Sequence, residues 1–280
     1  MFTRYEKIKL IERGGYGEVW KAYDHYINNF VAIKFLVNNV ADSFKMFQRE
    51  IRELSKLSNN PHIVSITDSD LYASVPFYVM ELCEGSLRNQ VGKVKPTELI
   101  SILRAMAKAL KPLHREDGFQ RDIKPDNILK MPLKNGYICK LADFGLARTP
   151  SRFSAMTRTP GGTENYMDPE IISGKEFSPA ADIYSLGITA FELLTGTPRR
   201  QWFLFVDCSA KLHDLIWEMT NPVSTLRPNI NQIEERLIAI ENERTLGFPN
   251  VLASYSYNDL VVGGIGAALL VGLMFGGNES

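Results

Sequence analysis

The first candidate for chemistry is a glycine-rich stretch near the start of the chain, GGYGEVWKA. Gly14, Gly15 and Gly17 lie there between two strand-like runs. Phosphate oxygens bind to backbone N–H groups when no side chain stands in the way, and glycine permits that approach. A tight hairpin turn explains the same glycines about as well. The stretch is therefore either a phosphate-binding loop or a hairpin turn.

A lysine lies in the middle of an apolar strand-like run shortly afterwards. Lys34 stands within FVAIKFLV. Its side chain either extends to solvent along an apolar surface or needs an acidic partner or an anionic ligand. Glu50, on a predicted helix, is a candidate partner, although glutamates on helices are usually solvated. Lys34 is thus a candidate for binding an anion.

The most specific pattern lies in QRDIKPDNILK and, farther on, in ICKLADFGLAR. Asp122, Lys124 and Asn127 stand at fixed offsets in a proline-containing loop, and the triplet that begins at Asp143 follows sixteen residues after Asn127. With about a one-in-twenty chance for each fixed residue, six such matches would rarely arise by accident. Together these segments resemble the eukaryotic-type, or Hanks-type, serine/threonine protein kinases, and the resemblance covers about residues 5 to 240.

The resemblance implies an enzyme that uses ATP and Mg²⁺ to phosphorylate protein substrates. The implied catalytic residues are Asp122, Lys124, Lys34 and Glu50, and the implied magnesium ligands are Asn127 and Asp143. In such an enzyme Asp122 accepts the proton of the substrate hydroxyl, and Lys34, oriented by Glu50, binds the α- and β-phosphates. Lys124 would neutralise charge on the transferring phosphoryl group. Lys124 and Thr163 match the serine/threonine type rather than the tyrosine type.

An ATP pocket follows from the same resemblance. Its implied residues are Gly14, Gly15, Gly17, Val19, Ala32, Lys34, Glu81, Cys83 and Leu129. Val19 and Ala32 would cover the adenine ring, and Leu129 would lie beneath it. Backbone groups of Glu81 and Cys83 would bond its edge. Core packing is the alternative explanation for the residues around the adenine ring.

The stretch GTENYMDPE resembles the end of a kinase activation segment. The residues assigned to that segment are Ser151, Ser154, Thr157, Thr159 and Thr163. A phosphate on any of the first four is expected to pair with Arg121. The resemblance also implies that Glu170 pairs with Arg227 and that Asp182 braces the catalytic loop.

Three residues depart from the family pattern, and one of them is Asp168, which stands before Pro169 where the family usually has alanine. Glu12 replaces the first glycine of the loop, where a carboxylate would repel phosphates unless it points to solvent. Gln120 replaces the histidine that usually precedes Arg121, and its amide must join an otherwise apolar stack, where it can bond the backbone. Glu12 and Gln120 leave open a function of another class, that of a pseudokinase scaffold that binds partners without catalysis.

The elements around these residues divide the chain in two. Residues 1–80 carry strand-like runs and one helix at 43–57, whereas helical periodicity dominates from 81 to 243. The predicted fold class is α+β, a bilobal protein-kinase-like fold with a small β-rich N-lobe and, after the hinge, a larger helical C-lobe. The most apolar helix begins after Ser178, ends before Gly196 and should be buried.

Bulk composition excludes several classes of function. Lysine plus arginine equals aspartate plus glutamate, 32 against 32, so no overall charge attracts nucleic acid, and we expect none as a partner. Three distant cysteines without CxxC spacing argue for reduced thiols and against a zinc site. The charged N-terminus lacks the apolar stretch of a signal peptide, so we expect the kinase part to be cytoplasmic.

The last part of the chain is an apolar segment, 260–277, that follows a polar linker, 244–259. Eighteen uncharged residues in a helix span about 27 Å, just short of a hydrocarbon core of about 30 Å. Small residues recur at every fourth position: Gly264, Ala268, Gly272 and Gly276. The segment predicts a transmembrane anchor and, through this stripe, a homodimer. A tail that is disordered or folds against the kinase is the alternative.

Overall fold

The computed structural model describes residues 4–14, 17–37, 41–116, 118–144, 163–198 and 208–245. The strand-rich first part and the helical second part predicted from the sequence are both present. Several predicted features lie outside these residues: Gly15, Ser151, Ser154, Thr157, Thr159 and the apolar segment 260–277. Among the described helices, none combines the length and apolar character needed to cross a membrane.

Five antiparallel strands form the sheet of the first part. They are β1 (Tyr5–Arg13), β2 (Gly17–Asp24), β3 (Asn29–Leu36), β4 (Ile66–Asp70) and β5 (Phe77–Glu81), in the order β1-β2-β3-β5-β4. The sequence did not predict β4, because ITDSD contains a single apolar residue. This strand pairs with β5 at the sheet edge, and its Asp68 forms an ion pair with Arg4 at 2.6 Å. Pairing and charge stabilise a strand that hydrophobic alternation does not reveal.

Helix α1 (Ala41–Lys56) packs against this sheet with the apolar face that its periodicity predicts. Phe47 and Leu54 are buried, and the ring of Phe47 lies 5.2 Å from that of Tyr78 on β5, measured between centroids. Glu50 is buried on the same helix. The packing of α1 therefore carries a carboxylate into the interior beside the sheet.

Helices and one β-hairpin form the second part. The helices are α2 (Pro96–Arg115), α3 (Pro169–Ile172), α4 (Pro179–Thr195), α5 (Ala210–Met219) and α6 (Ile230–Thr245), and the hairpin strands are β6 (Ile128–Leu133) and β7 (Gly136–Leu141). Short 3-10 helices occur at Leu87–Gln90, Pro125–Asn127, Thr163–Tyr166 and Ser224–Leu226. One hydrophobic cluster contains residues of both parts, such as Leu36 of β3 and Leu103 of α2. The sheet and the helices thus share a core.

Helix α4 is buried nearly all round, as its apolar sequence predicts. Ser178 precedes it in an extended conformation, although its side chain makes no capping hydrogen bond. The helix ends at Gly196, whose φ of 81° is a left-handed conformation that glycine adopts readily. Both predicted ends are therefore correct in position.

Candidate active site

The loop before β6 brings three of the predicted residues into contact. Lys124 donates from Nζ to Asp122 Oδ2 at 2.8 Å, and Asn127 donates from Nδ2 to the same oxygen at 2.8 Å. Burial raises the pKa of Asp122, and Lys124 opposes that rise. The loop therefore fixes one partly buried carboxylate between an ammonium group and an amide.

A second charged group lies on β3 and α1. We call the space between these elements and the catalytic loop the cleft. Lys34 Nζ lies 2.7 and 2.9 Å from the two carboxylate oxygens of Glu50 and 3.8 Å from Asp143 Oδ1. Burial alone would lower the pKa of Lys34, but Asp143 and Glu50 outweigh it and hold that pKa above its ordinary value. The contact between Lys34 and Glu50 that the sequence suggested is present, and Lys34 carries a positive charge beside Asp143.

Two residues of the site have left-handed backbone conformations. The φ angle is 57° at Asp143 and 74° at Arg121. Such conformations are uncommon for residues other than glycine and concentrate at functional sites. Asp143 has an exposed side chain, while Phe144 after it is fully buried in the shared core. Buried Phe144 and the backbone turn together direct a carboxylate toward solvent in the cleft.

Tyr78 is a member of the site that sequence reasoning missed. Its hydroxyl group donates to Glu50 Oε1 at 2.8 Å, and the side chain is buried on β5. Glu50 is therefore held by Lys34 on one side and by Tyr78 on the other. The available signal was a polar hydroxyl in the apolar run PFYVM, on the strand that faces α1.

Tyr78→Phe is expected to lower both the free energy of unfolding and the rate of phosphoryl transfer. The substitution removes a buried hydrogen bond to a carboxylate, which typically contributes about 1.5–3 kcal/mol. Urea unfolding and a peptide phosphorylation assay measure the two effects. Tyr137→Phe is the matched control, because the Tyr137 hydroxyl also binds a glutamate, Glu98, but away from the cleft. Its transfer rate should not change, and a fully active Tyr78→Phe protein would contradict the expectation.

The glycine-rich stretch has a steric requirement of its own. A Cβ atom on Gly17 would collide with the carbonyl oxygen of Phe35, because β2 runs close to β3 at this point. Gly14 donates its N–H to the carbonyl of Gly17 at 2.9 Å, which closes the turn between β1 and β2. Glu12 lies on β1 with an exposed side chain. The hairpin explanation therefore accounts for Gly17, and Glu12 meets the condition of pointing to solvent.

Residues of the predicted adenine pocket converge where the two parts meet. Three apolar ones share the common hydrophobic cluster: Val19, Ala32 and Leu129. The N–H of Glu81 donates to the carbonyl of Ser65 at 3.2 Å, so the backbone of Glu81 can offer a ligand only its carbonyl oxygen. Cys83 is partly buried, and burial raises the pKa of its thiol to about 12. The thiol is therefore neutral and a weak hydrogen-bonding group, so the backbone offers the stronger polar contacts at this edge.

Gln120 connects the catalytic loop to the strand that precedes Asp143. The side chain is fully buried, and Nε2 donates to the carbonyl oxygens of Ala142 and Asp143 at 3.0 and 2.5 Å. The expectation that this amide bonds the backbone is confirmed. Within the described residues Oε1 has no hydrogen-bond partner, which carries a desolvation cost.

Helix α4 carries a row of polar residues in its otherwise apolar sequence: Asp182, Ser185, Thr189 and Glu192. Spacings of three and four residues put them on one face. Asp182 accepts hydrogen bonds from the N–H groups of Gln120 and Arg121 at 2.8 and 2.9 Å, which confirms the predicted brace. Ser185 donates to the 3-10 helix before α3, and Thr189 to the catalytic loop. Sequence reasoning identified only the first of the four.

The predicted ion pair between Glu170 and Arg227 is wrong. Arg227 instead binds Asp168, with Nη2 2.8 Å from Oδ1 and Nη1 2.5 Å from Oδ2. Glu170 pairs with Lys175 at 2.8 Å and accepts a hydrogen bond from the N–H of Ser224. The physical reason is that Asp168, where the family usually has alanine, supplies a carboxylate inside the core, so that the guanidinium group is neutralised there.

Arg121 lies between two aromatic rings. Its guanidinium carbon is 4.8 Å from the ring centroid of Phe119 and 4.3 Å from that of Phe177. Burial lowers the pKa of Arg121 to about 10. Thr163 begins the 3-10 helix before α3, and the other four residues assigned to the activation segment lie outside the described part of the chain. Pairing of Arg121 with a phosphate remains a prediction.

Comparison with known proteins agrees with this geometry. The family model described as the protein kinase domain matches residues 5–238. Among curated proteins, serine/threonine-protein kinase PknD of Mycobacterium tuberculosis is 37% identical over 205 residues, which are 70% of this chain and 30% of that protein. Serine/threonine-protein kinase PknK of the same species is 35% identical over 198 residues, 69% of this chain and 18% of that protein.

A eukaryotic relative gives the same result. Serine/threonine-protein kinase KIC1 of Saccharomyces cerevisiae is 35% identical over 199 residues, 69% of this chain and 18% of that protein. The chain thus spans between 18% and 30% of the length of these three relatives. The match covers the sheet, the catalytic loop and the helices up to α6. This chain belongs to the Hanks-type serine/threonine protein kinase family.

Proposed function

We propose that the chain uses ATP and Mg²⁺ to transfer the γ-phosphoryl group to serine and threonine hydroxyls of protein substrates. One observation carries the proposal. Two clusters meet at one cleft, Asp122 bound to Lys124 and Asn127 on one side and Lys34 bound to Glu50 on the other, where Asp143 approaches Lys34. Structural packing alone gives no reason to gather these charges.

The geometry suits Asp122 to the role of proton acceptor. Lys124 and Asn127 both donate to its carboxylate and so fix its orientation, which is the main requirement for a general base. Lys124 also lies where it can neutralise charge on the group that is transferred. Lys34, held by Glu50, supplies a fixed positive charge for phosphate oxygens.

The residues opposite these lysines fit a magnesium ion. The Asn127 amide nitrogen is occupied by Asp122, so its oxygen is the atom that can bind a cation, and Asp143 adds an exposed carboxylate. Mg²⁺ prefers such oxygen ligands and commonly uses only one or two from the protein. When bound, the ion would neutralise negative charge on the nucleotide phosphates.

A pseudokinase scaffold is the competing function. Two departures from the family pattern suggest this alternative. Glu12 has an exposed side chain, and the amide of Gln120 is hydrogen-bonded to the backbone. Neither departure therefore gives a physical reason for inactivity.

Incubation of the full chain with labelled ATP and a mixed protein substrate, followed by phosphoamino acid analysis, tests the proposed kinase activity. We expect phosphoserine and phosphothreonine; label on tyrosine alone, or no label, would contradict it.

We further propose that residues 260–277 tether the kinase to a membrane and associate through the small-residue stripe of that segment. Only the sequence supports this step, through eighteen uncharged residues and a repeat of small side chains. The full chain is expected to float with liposomes in a density gradient. Val271→Arg should reduce flotation, because a charge at the centre of a membrane helix costs about 2.5–3.5 kcal/mol. Val223→Arg, at an exposed site in the helical part, is the matched control.

Crosslinking in the same liposomes tests the homodimer. Gly272→Ile places a large side chain in the stripe and should reduce the crosslinked dimer, while flotation stays high. Recovery of the unmodified chain wholly in the unbound fraction would eliminate the membrane tether.

A further inference from the structure

Arg88 joins four separate elements of the fold through one guanidinium group. It lies in the 3-10 helix Leu87–Gln90, and its Nε and Nη2 atoms donate to the carboxylate of Asp126 at 2.5 to 3.2 Å. Nη1 donates to Glu192 Oε1 at 2.7 Å, and Nη2 to the hydroxyl of Tyr166 at 2.9 Å. Tyr166 in turn donates to Glu192. We call these four residues the Arg88 cluster.

The Arg88 cluster lies beside the catalytic loop. Asp126 stands between Lys124 and Asn127, both of which bind the Asp122 carboxylate. Tyr166 belongs to the 3-10 helix before α3, the end of the segment that resembles a substrate platform. Any peptide that presents its hydroxyl group to Asp122 must therefore pass close to the cluster.

The cluster is open to solvent on one side only. The Arg88 side chain is 38% exposed and that of Asp126 is 42% exposed, whereas that of Glu192 is 7% exposed. A substrate side chain can reach the outer half of the cluster, and Glu192 lies behind it. The exposed half thus forms part of the surface that a bound peptide contacts.

The charges of the Arg88 cluster explain what that surface selects. Two carboxylates converge on one guanidinium group, which stays protonated because its hydrogen bonds to Asp126 hold the pKa of Arg88 above its ordinary value. Without Arg88, Asp126 and Glu192 would form a doubly negative recess able to bind a basic side chain. With Arg88 present, the oxygens that such a side chain would use are already occupied.

We propose that Arg88 is a specificity-determining residue, which fills from within the chain the acidic recess where a basic side chain of the substrate would otherwise bind. The proposal rests on the proposed kinase function. Its consequence is that a basic residue opposite the Arg88 cluster gives a peptide substrate no advantage over alanine at the same position. Removal of Arg88 uncovers the recess and converts the enzyme to one that prefers basic peptides.

Matched peptides test this directly. Each pair carries one serine and differs only in arginine or alanine at a single flanking position, and kcat/KM is measured for both with the full chain. The ratio of the two values should stay near one at every position for the wild type. In Arg88→Ala it should rise about tenfold at one or two positions, which corresponds to about 1.4 kcal/mol. Since each ratio is taken within one protein, a general loss of activity cancels.

Two further variants separate specificity from structure. Arg88→Lys keeps the positive charge and should keep the wild-type ratio. The double variant Arg88→Ala with Glu192→Gln should return the ratio toward one, because it halves the negative charge of the recess. If Arg88→Ala does not fold, Arg88→Gln removes the charge while preserving hydrogen-bonding groups, and the same ratio is read from it.

The outcomes that overturn the proposal are distinct from failure of the kinase function. A wild type that already prefers arginine about tenfold opposite the cluster, or an active charge-removing variant with an unchanged ratio, would overturn the role of Arg88. A wild type that phosphorylates none of the peptides and no protein substrate would instead overturn the proposed function.

Discussion

Asp122→Asn is expected to reduce phosphoryl transfer by about 10²–10⁴-fold while leaving the fold intact. The amide has nearly the shape of the carboxylate, so contacts with Lys124 and Asn127 can persist in part, but it cannot accept the proton of a substrate hydroxyl. Initial rates at saturating nucleotide, measured for both proteins with one serine peptide, give the ratio. Circular dichroism and thermal melting verify that both proteins are folded.

Asp214→Asn is the matched control for this change. Asp214 lies on α5 with a mostly exposed side chain, and its substitution should leave the rate unchanged.

The pH dependence of the wild-type rate is a second test of Asp122 as the base. Since burial raises the pKa of Asp122, wild-type activity should fall in acid at a pH above the ordinary value of 3.8, as the carboxylate becomes protonated. Equal incorporation by wild type and Asp122→Asn would refute the assignment of the base.

Asp168→Ala is expected to lower the free energy of unfolding by about 3–5 kcal/mol. The side chains of Arg227 and Asp168 are 0% and 2% exposed, so the substitution leaves a guanidinium charge inside the protein without its carboxylate. Remaining bonds from Arg227 to the carbonyls of Ala180 and Asn221 compensate only in part. Urea unfolding followed by tryptophan fluorescence measures the loss.

Glu170→Ala is the control that separates the two carboxylates. Glu170 bonds Lys175 near the surface, so its removal should have little effect on unfolding. The double variant Asp168→Ala with Arg227→Met should recover part of the lost stability, because no charge is then left unpaired. A Glu170→Ala protein as unstable as Asp168→Ala would restore the pairing that the family resemblance implied.

These two cases mark the extent of what sequence could predict. Local periodicity identified α1 and α4, and fixed spacing identified Asp122, Lys124 and Asn127, because both signals reside within a few consecutive residues. Strand β4 escaped because its stability comes from pairing and from an ion pair rather than from apolar alternation. Asp168 and Glu170 are two residues apart, and the sequence does not show which of them pairs with Arg227. Tertiary packing brings Arg227 against Asp168, the buried one.

Polar contacts between residues far apart in the chain could not be predicted from the sequence either. Tyr78 binds Glu50 across 28 residues of chain, and Arg88 binds Asp126 and Glu192 across 38 and 104 residues. No spacing rule connects residues so far apart. Such contacts depend on how the helices and the sheet pack against each other, which only the three-dimensional structure shows.

The length of helix α4 fixes the distance between two parts of the site. A rise of 1.5 Å per residue separates Asp182, which holds the catalytic loop, from Glu192, which holds the Arg88 cluster, by about 15 Å along the helix axis. One residue inserted between Ser185 and Thr189 would rotate the later half of the row by about 100° relative to the earlier half. Asp182 and Glu192 would then lie on different faces of the helix and could not both keep their present contacts. The helix can therefore accept changes of side chain far more easily than changes of length.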